Sequence, residues 1–492
     1  LDDGLLLGID IGSSSTKGLL VNIKGDILSS HSIRHSFNQP EAGWAEQNPD
    51  ETWWPETVEI IRACIDKARI DAARIKGIAV TGMVPNLCPI DKNGKIVRPA
   101  IFYRDNRASE ECAFLNEKYG LNFNLQDMLP KWYWIKNNEP ENYAKISMVL
   151  NTHSYLIYKL TGKYNIDCDT ADLFGEIYNP ATLSWKNDLV DKIGLNREAL
   201  PPVYRQTDAV GTVTDEVCAM TGLKNTTPVF AGNGDSLMSM IGSSVVGAND
   251  AMIYLGTAAT LIATDADMEE IVSGSTFNSG HIHFLGNVLT GAEYLKWFKE
   301  KLQLQGDVLS FEELDTLAGK IEPGANGLIS LPHLEGQRTP VYNPSASGGI
   351  VGINSKHTGV HIYRAILESI AYALLDSTLG KTHMLKRLVV SGGAAASRSL
   401  RQILADVFNM PVEYNPKSGA ALGIAYFAGY SLGLFNDFKT IRRGWLSQME
   451  ITQPAPGNAE QYKKCFDAYK RINEALSPIY PLLCDKKREF KQ

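Results

Sequence analysis

No Cys-x-x-Cys pair occurs anywhere in the 492 residues. The cysteines (Cys64, Cys88, Cys112, Cys168, Cys218, Cys465 and Cys484) are scattered, which disfavours a zinc cluster or dithiol site and suits reduced thiols. No run approaches the roughly 20 apolar residues that span a bilayer. Leu1-Asp2-Asp3-Gly4 lacks the basic and apolar regions of a secretion signal. A basic excess is also missing: 48 Lys and Arg stand against 55 Asp and Glu, a net charge of -7. That balance argues against nucleic acid. The expectation is a cytoplasmic protein with neither a nucleic-acid nor a membrane partner.

Two familiar nucleotide signatures are absent. Gly380-Lys381-Thr382 ends like a P-loop, but Leu375 stands where that loop needs glycine. Gly232-x-Gly234 is followed by Leu237 where a dinucleotide fingerprint needs glycine. His281-x-His283 alternates on one strand face without a third ligand nearby in sequence, and reads as a surface or satisfied pair rather than a metal site.

What remains is a globular composition, 44% hydrophobic and 21% charged, with enough length for two domains. Leu5 to Ile11, Lys17 to Val21 and a run from Ile27 are apolar segments separated by glycine and small hydroxyl residues, the mark of a strand meander. The pattern returns at Ala251 to Leu255, Gly256-Thr257 and Ala258 to Ala263. This suggests two related domains, 1–248 and 249–492, with a boundary near Val246 to Asp250. Val360, Tyr363, Ile366, Leu367, Ile370 and Leu374 keep the spacing of a buried helix face. Leu400, Ile403, Leu404, Val407 and Phe408 do likewise behind Ser397, a suitable N-cap. Strands at Ile75 to Val80, Pro228 to Ala231 and Leu388 to Ser391 alternate with helices, so the class is α/β. From Ala459 a charged helix and a frayed end are predicted.

Three turns carry candidate chemistry. Asp10 ends an apolar strand before Gly12, Ser13, Ser14, Ser15, Thr16 and Lys17. Such a turn brings backbone N–H groups and hydroxyls close to phosphate oxygens, Lys17 adds charge, and Asp10 suits Mg²⁺ or its water. An ordinary serine-rich hairpin reads the same way. Gly232-Asn233-Gly234-Asp235-Ser236 places one carboxylate among glycines at a strand end, a geometry for deprotonating a hydroxyl, or for capping the next helix. Ser391-Gly392-Gly393-Ala394-Ala395-Ala396-Ser397 leaves room for a nucleotide, or for close helix–strand packing.

In this order and spacing the segments resemble the FGGY carbohydrate kinases of the actin/hexokinase/Hsp70 ATPase superfamily. The match runs from about Leu6 to about Phe435. It includes Gly8-Ile9-Asp10-Ile11-Gly12, Gly43-Trp44-Ala45-Glu46-Gln47-Asn48-Pro49, Arg98-Pro99-Ala100-Ile101 with Asp105-Asn106-Arg107, and Pro130 to Ile135. Gly232 to Asp235, Leu255-Gly256-Thr257, Gly336-Gln337-Arg338-Thr339-Pro340, Ser391 to Ala405 and Gly419-Ala420-Ala421-Leu422-Gly423 extend it. The resemblance implies two RNase H-like (actin-like ATPase) domains flanking a deep cleft that closes on substrate. It implies an ATP-dependent sugar kinase with ATP and Mg²⁺, and a homodimer. It makes Asp235 the catalytic base and Asp10 the metal residue. Gly12, Ser13, Ser14, Ser15 and Lys17 form the first phosphate loop, and Gly256 and Thr257 the second. Gly291, Gly392, Gly393 and Ser397 fall at the nucleotide.

The acceptor loop departs from the pattern. Val84-Pro85 stand where glycerol kinases carry Arg-Glu and xylulokinases Met-His, which disfavours glycerol and removes donors for sugar hydroxyls. Met83, Val84 and Pro85 line the expected sugar pocket. Asp105 and Arg107 either meet the sugar or form an ion pair that holds a loop. A pentulose such as xylulose is the expected substrate, with another polyol, ketose or sugar acid, or a nucleotide-switch ATPase, as alternatives.

Overall fold

A computed structural model of the chain describes residues 4–274, 280–302 and 309–483. Twelve strands and eight helices position the site. The first sheet uses β1 (Leu5–Ile11), β2 (Ser15–Asn22), β3 (Ile27–Arg34), β4 (Ile75–Gly82), β5 (Ala209–Thr212) and β6 (Pro228–Phe230). The second uses β7 (Asp250–Leu255), β8 (Ala259–Thr264), β9 (Ile282–Val288), β10 (Arg387–Ser391), β11 (Val412–Tyr414) and β12 (Glu450–Thr452). The helices are α1 (Trp53–Ala68), α2 (Thr152–Thr161), α3 (Asp235–Ile241), α4 (Phe311–Ala318), α5 (Gly359–Ser377), α6 (Arg398–Phe408), α7 (Ala420–Ser431) and α8 (Asn458–Leu476).

The first sheet runs β5-β6-β4-β1-β2-β3 and the second β9-β8-β7-β10-β11-β12. In each, three antiparallel strands form a meander whose first strand pairs in parallel with a later strand. The half-chain repetition expected from sequence is thus a repetition of topology. An antiparallel hairpin needs only a short turn, whereas each parallel partner must return through a helical crossover.

Side-chain alternation sets the layers. Leu5, Leu7, Ile9 and Ile11 of β1 join one core, while Leu6 joins another on the opposite face. Ala251, Ile253 and Leu255 of β7 divide from Met252 in the same way. Both faces of each central strand are covered, which is why these strands read as unbroken apolar runs. The core shared by Leu6 and Met252 also holds α3 and α7, so two helices lie between the sheets.

Helix α7 comes late in the chain yet rests on β1. A Cβ on Gly8 would lie 2.3 Å from the Ala421 carbonyl oxygen, and one on Gly423 would lie 1.9 Å from the Met238 carbonyl oxygen. Backbone meets backbone at both contacts, and only glycine permits it.

The predicted helix faces hold. Tyr363, Ile366, Leu367, Ile370 and Leu374 of α5 are buried, with Val360 at the margin. Leu400, Ile403, Leu404 and Phe408 of α6 are buried, with Val407 at the margin. Ser397 caps α6 by accepting from the Leu400 amide. The tail forms α8, anchored by buried Tyr462 and Tyr469, then a short turn at Tyr480–Leu483. The expected frayed end and Cys484 lie outside the described residues; the other cysteines are free thiols. His281 and His283 each hold Asp265, at 2.7 and 2.8 Å, so this is a satisfied surface pair.

Candidate active site

The site collects at the strand ends where parallel β1, β4 and β6 meet the β7–β10 pair. Asp10 is the penultimate residue of β1 and stands opposite Lys17 in the β1–β2 register. The Gly12–Ser15 turn closes with one backbone bond, Gly12 N–H to the Ser15 carbonyl at 3.0 Å. The Ser13, Ser14 and Ser15 hydroxyls meet no protein partner among the described residues. Ser14 is exposed, and Ser13 and Ser15 are half-buried.

Asp10 Oδ1 is buried without a hydrogen-bond partner. Burial pushes this carboxyl up to about 6, opposed by the charge on Lys17. A desolvated carboxylate with a vacant oxygen is a donor suited to a hard divalent cation or its water. Among the described residues no group of three or more His, Cys, Asp or Glu side chains forms a metal cage. Any cation here would therefore draw most of its ligands from phosphate and water.

Asp235 begins α3, directly after the Gly232–Gly234 turn. The N-cap is Gly234, and Asp235 is the acidic residue of the first turn, its carboxylate accepting from Ser236. Gly82 bridges to Gly234, Thr81 Oγ1 donates to the Asn233 carbonyl at 2.6 Å, and Asn233 Nδ2 donates to Asp169 at 2.5 Å. These contacts fix the turn from below. Burial pushes Asp235 up to about 7, Asp10 adds to the rise, and Ser236 opposes it. A carboxylate poised near neutrality suits general-base chemistry.

The second loop follows the same design. Gly291 N–H donates to the Thr257 carbonyl at 2.8 Å, and Ala292 N–H to the Gly256 carbonyl at 2.9 Å. A Cβ on Gly291 would stand 2.7 Å from the Ala258–Ala259 peptide. Gly392 has φ +94 and approaches Leu255 so closely that a Cβ would fall 2.6 Å from its carbonyl oxygen. Gly393 opens onto free space. Ser397, which the resemblance puts at the nucleotide, is the N-cap of α6. Its hydroxyl donates to Asp315 of α4 while capping α6, so it is engaged within the protein.

The acceptor loop is only partly available. Met83 and Pro85 are buried, and Val84, beside a cis Val84–Pro85 bond, is the member left part-exposed. Thr152 of α2 holds the Met83 carbonyl at 2.8 Å and receives Asn86 at 2.9 Å. Val84 packs on Gly234, where a Cβ would meet its Cγ2 at 2.4 Å.

Asp105 and Arg107 bind each other. Their side chains are fully buried and 2.7 Å apart. Asp105 also accepts from the Ala45 and Arg107 amides. Arg107 reaches Glu46 at 2.9 Å and lies 3.8 Å over the Trp44 ring. Of the two readings left open by sequence, the geometry is that of the loop-holding ion pair. Arg107 Nη1 is left buried without a hydrogen-bond partner among the described residues.

Two tyrosines were missed. Burial and the charge of Asp235 push Tyr103 up, with Arg104 and Arg338 opposing. Tyr254 is the penultimate residue of β7, part-exposed with its ring over Gly256; desolvation, Asp10 and Asp235 push it up to about 12. Both phenols therefore stay protonated donors near the carboxylates. Neither has a sequence signal beyond its place beside a quoted motif: Tyr103 two residues before Asp105, Tyr254 just before Leu255-Gly256-Thr257.

Comparison with known proteins agrees with this geometry. Residues 5–242 match the N-terminal domain of the FGGY family of carbohydrate kinases, and residues 251–432 its C-terminal domain. The xylulose kinase of Bacillus subtilis (strain 168) is 30% identical over 489 residues, covering 95% of this chain and 96% of that protein. A gluconokinase of Bacillus licheniformis is 26% identical over 514 residues, covering 99% and 98%. The crystal structure of xylulose kinase from Rhodospirillum rubrum superposes with a TM-score of 0.81 at 27% identity, covering 97% and 99% of the two chains. The chain belongs to the FGGY family of carbohydrate kinases and is an ATP-dependent sugar phosphotransferase.

Proposed function

We propose that this enzyme transfers the γ-phosphoryl group of ATP to a hydroxyl of a pentulose of the xylulose type, with Asp235 as general base. The observation that carries the reading is Asp235 itself, held at about 7 at a strand end beside the vacant oxygen of Asp10. The acceptor hydroxyl gives its proton to Asp235 as its oxygen bonds to the γ-phosphorus, and the bond to the β–γ bridging oxygen breaks to release ADP. The Gly12–Ser15 turn, Lys17, Gly256 and Thr257 meet the phosphates. Gly291, Gly392 and Gly393 leave space for the nucleotide. Mg²⁺, held through Asp10 or its water, would neutralise phosphate charge.

Residues 1–248 supply base, acceptor wall and first loop, and residues 249–492 the second loop and nucleotide wall. Val84 lines the acceptor wall, and Asp105 and Arg107 hold it from behind. The xylulose kinases among the relatives support the pentulose. We further read the enzyme as a cytoplasmic homodimer, by analogy with the family; no helix among the described residues is long and apolar enough to cross a membrane. A sugar acid is the second reading, favoured by Arg104 and Arg338 beside Tyr103 and by the gluconokinase relative.

The test is ADP release from MgATP with D-xylulose, other pentuloses, gluconate and glycerol, run beside Asp235→Asn. Turnover with xylulose that the variant loses supports the first reading, and preference for gluconate supports the second. ATP hydrolysis indifferent to every sugar and to the variant overturns both.

A further inference from the structure

Behind the first phosphate loop lies a contact set that the reaction described above does not use. Glu56, in the first turn of α1, is 13% exposed in its side chain, and His35, just past β3, is 6% exposed. Glu56 Oε2 accepts from Thr16 Oγ1 at 2.5 Å and meets His35 Nδ1 at 2.9 Å. The other ring nitrogen, Nε2, lies 2.9 Å from the Gly12 carbonyl oxygen. The His35 amide donates to the Ser14 carbonyl at 3.1 Å. One carboxylate oxygen thus ties both ends of the turn, Thr16 directly and Gly12 through the ring.

Proton inventory makes the arrangement specific. The Gly12 carbonyl only accepts, so Nε2 carries a hydrogen. A further proton sits between Nδ1 and Glu56, whichever atom holds it. Peptide geometry then decides where the loop amides point. In a planar trans unit the carbonyl of one residue and the N–H of the next point in opposite directions. Pinning the Gly12 and Ser14 carbonyls back towards His35 therefore turns the Ser13 and Ser15 amides the other way, out of the loop's rear face. The ring also occupies the carbonyl that a closed two-residue hairpin would offer to the Ser15 amide.

We propose that His35 and Glu56 are positioning residues for phosphoryl transfer, which fix the first phosphate loop so that the Ser13 and Ser15 amides face the nucleotide's terminal phosphates. The proposal rests on the reading of this cleft as an ATP site. It gives α1 a function beyond packing: a carboxylate in its first turn sets the conformation of the Gly12–Ser15 loop. A loop held in advance loses no conformational freedom when the nucleotide arrives. Removing the ring frees the Gly12 carbonyl and with it the Ser13 amide, while the backbone amide of residue 35 still holds the Ser14 carbonyl and so the Ser15 amide.

The experiment measures MgATP binding by calorimetry and steady-state kinetics on the full chain for His35→Ala, His35→Gln, Glu56→Gln and Thr16→Val. His35→Ala is expected to weaken MgATP binding by about tenfold and to lower kcat, with the KM for sugar unchanged. His35→Gln, which can still donate an amide hydrogen towards Gly12, is expected to recover part of the loss. Thr16→Val cuts only one tie and should give a smaller defect. If His35→Ala does not fold, Glu56→Gln and Thr16→Val carry the test with the same expected split. MgATP affinity and kcat within twofold of wild type in the folded variants overturn the proposal. So does a loss shared equally by sugar KM, which marks a general structural role. Wild type that binds MgATP but turns over no sugar refutes the sugar-kinase reading alone, and the binding data still decide the strap.

Discussion

Asp10 and Asp235 stand at the ends of two parallel-sheet segments, close enough that the charge of Asp10 helps hold Asp235 up to about 7. Burial supplies the larger share, and both groups are raised by it. A base raised towards neutrality accepts a hydroxyl proton more readily than an ordinary carboxylate.

The first prediction concerns pH. Only deprotonated Asp235 accepts the proton, so kcat/KM should fall about tenfold per pH unit below about 7 in the free enzyme. Asp235→Asn should lower kcat by roughly 10²–10⁴-fold and erase that acid limb. A wild-type profile flat from pH 5 to 8 would remove Asp235 from the role.

The same carboxylate should cost stability. Its folded value stands well above that of an ordinary carboxyl, so the folded chain holds the proton more tightly than the unfolded chain does. The cost is absent below about pH 4, grows up to about pH 7, and is complete above it. Asp235→Asn should therefore melt higher than wild type at pH 8, by roughly 1–3 kcal/mol after allowance for partial solvent access. The gain should shrink on acidification, and calorimetry at pH 8 and pH 5 checks it.

Arg107 separates loop-holding from sugar contact. Arg107→Ala leaves Asp105 buried without its cation, while Glu46 keeps Arg98, and should cost about 3–5 kcal/mol. The folded fraction should keep its KM for sugar. Unchanged denaturant stability with a raised sugar KM would instead place the guanidinium in the acceptor pocket.

A methyl group tests the second loop. In Gly291→Ala the added Cβ would press on the Ala258–Ala259 peptide at 2.7 Å, which cannot swing aside as a side-chain tip can. The expectation is a loss of about 1–3 kcal/mol of stability. ATP affinity should weaken by about tenfold with sugar KM unchanged. A variant with wild-type nucleotide binding would show that this peptide does not set the loop.

Much of the fold and of the site was legible in the sequence, because its signals are local. The β1–β2 and β7–β8 hairpins announce themselves by apolar runs broken at glycine and hydroxyl residues, since a short turn needs those residues wherever it occurs. Asp10 and Asp235 stood out as single carboxylates beside glycine turns, and α5 and α6 by periodic apolar faces. These features depend on neighbours within a few positions. What the tertiary structure decided depends on residues far apart. Whether Asp105 and Arg107 face a ligand or each other turned on Glu46 and Trp44, some sixty positions earlier. The resemblance that puts Ser397 at the nucleotide does not reveal Asp315, which takes its hydroxyl. Tyr103 becomes a neighbour of Asp235 only when distant parts of the first half fold together, and Tyr254 meets the carboxylates from the second sheet. Helix α7 lies on β1 because Gly8 and Gly423 let backbones touch, and each glycine alone looks like any other. Strands, turns and the kind of chemistry they offer follow from local sequence, since turn conformation and side-chain alternation are short-range. Only the folded chain decided which charges are neutralised internally and which face the cleft, because burial and pairing are properties of the whole packing.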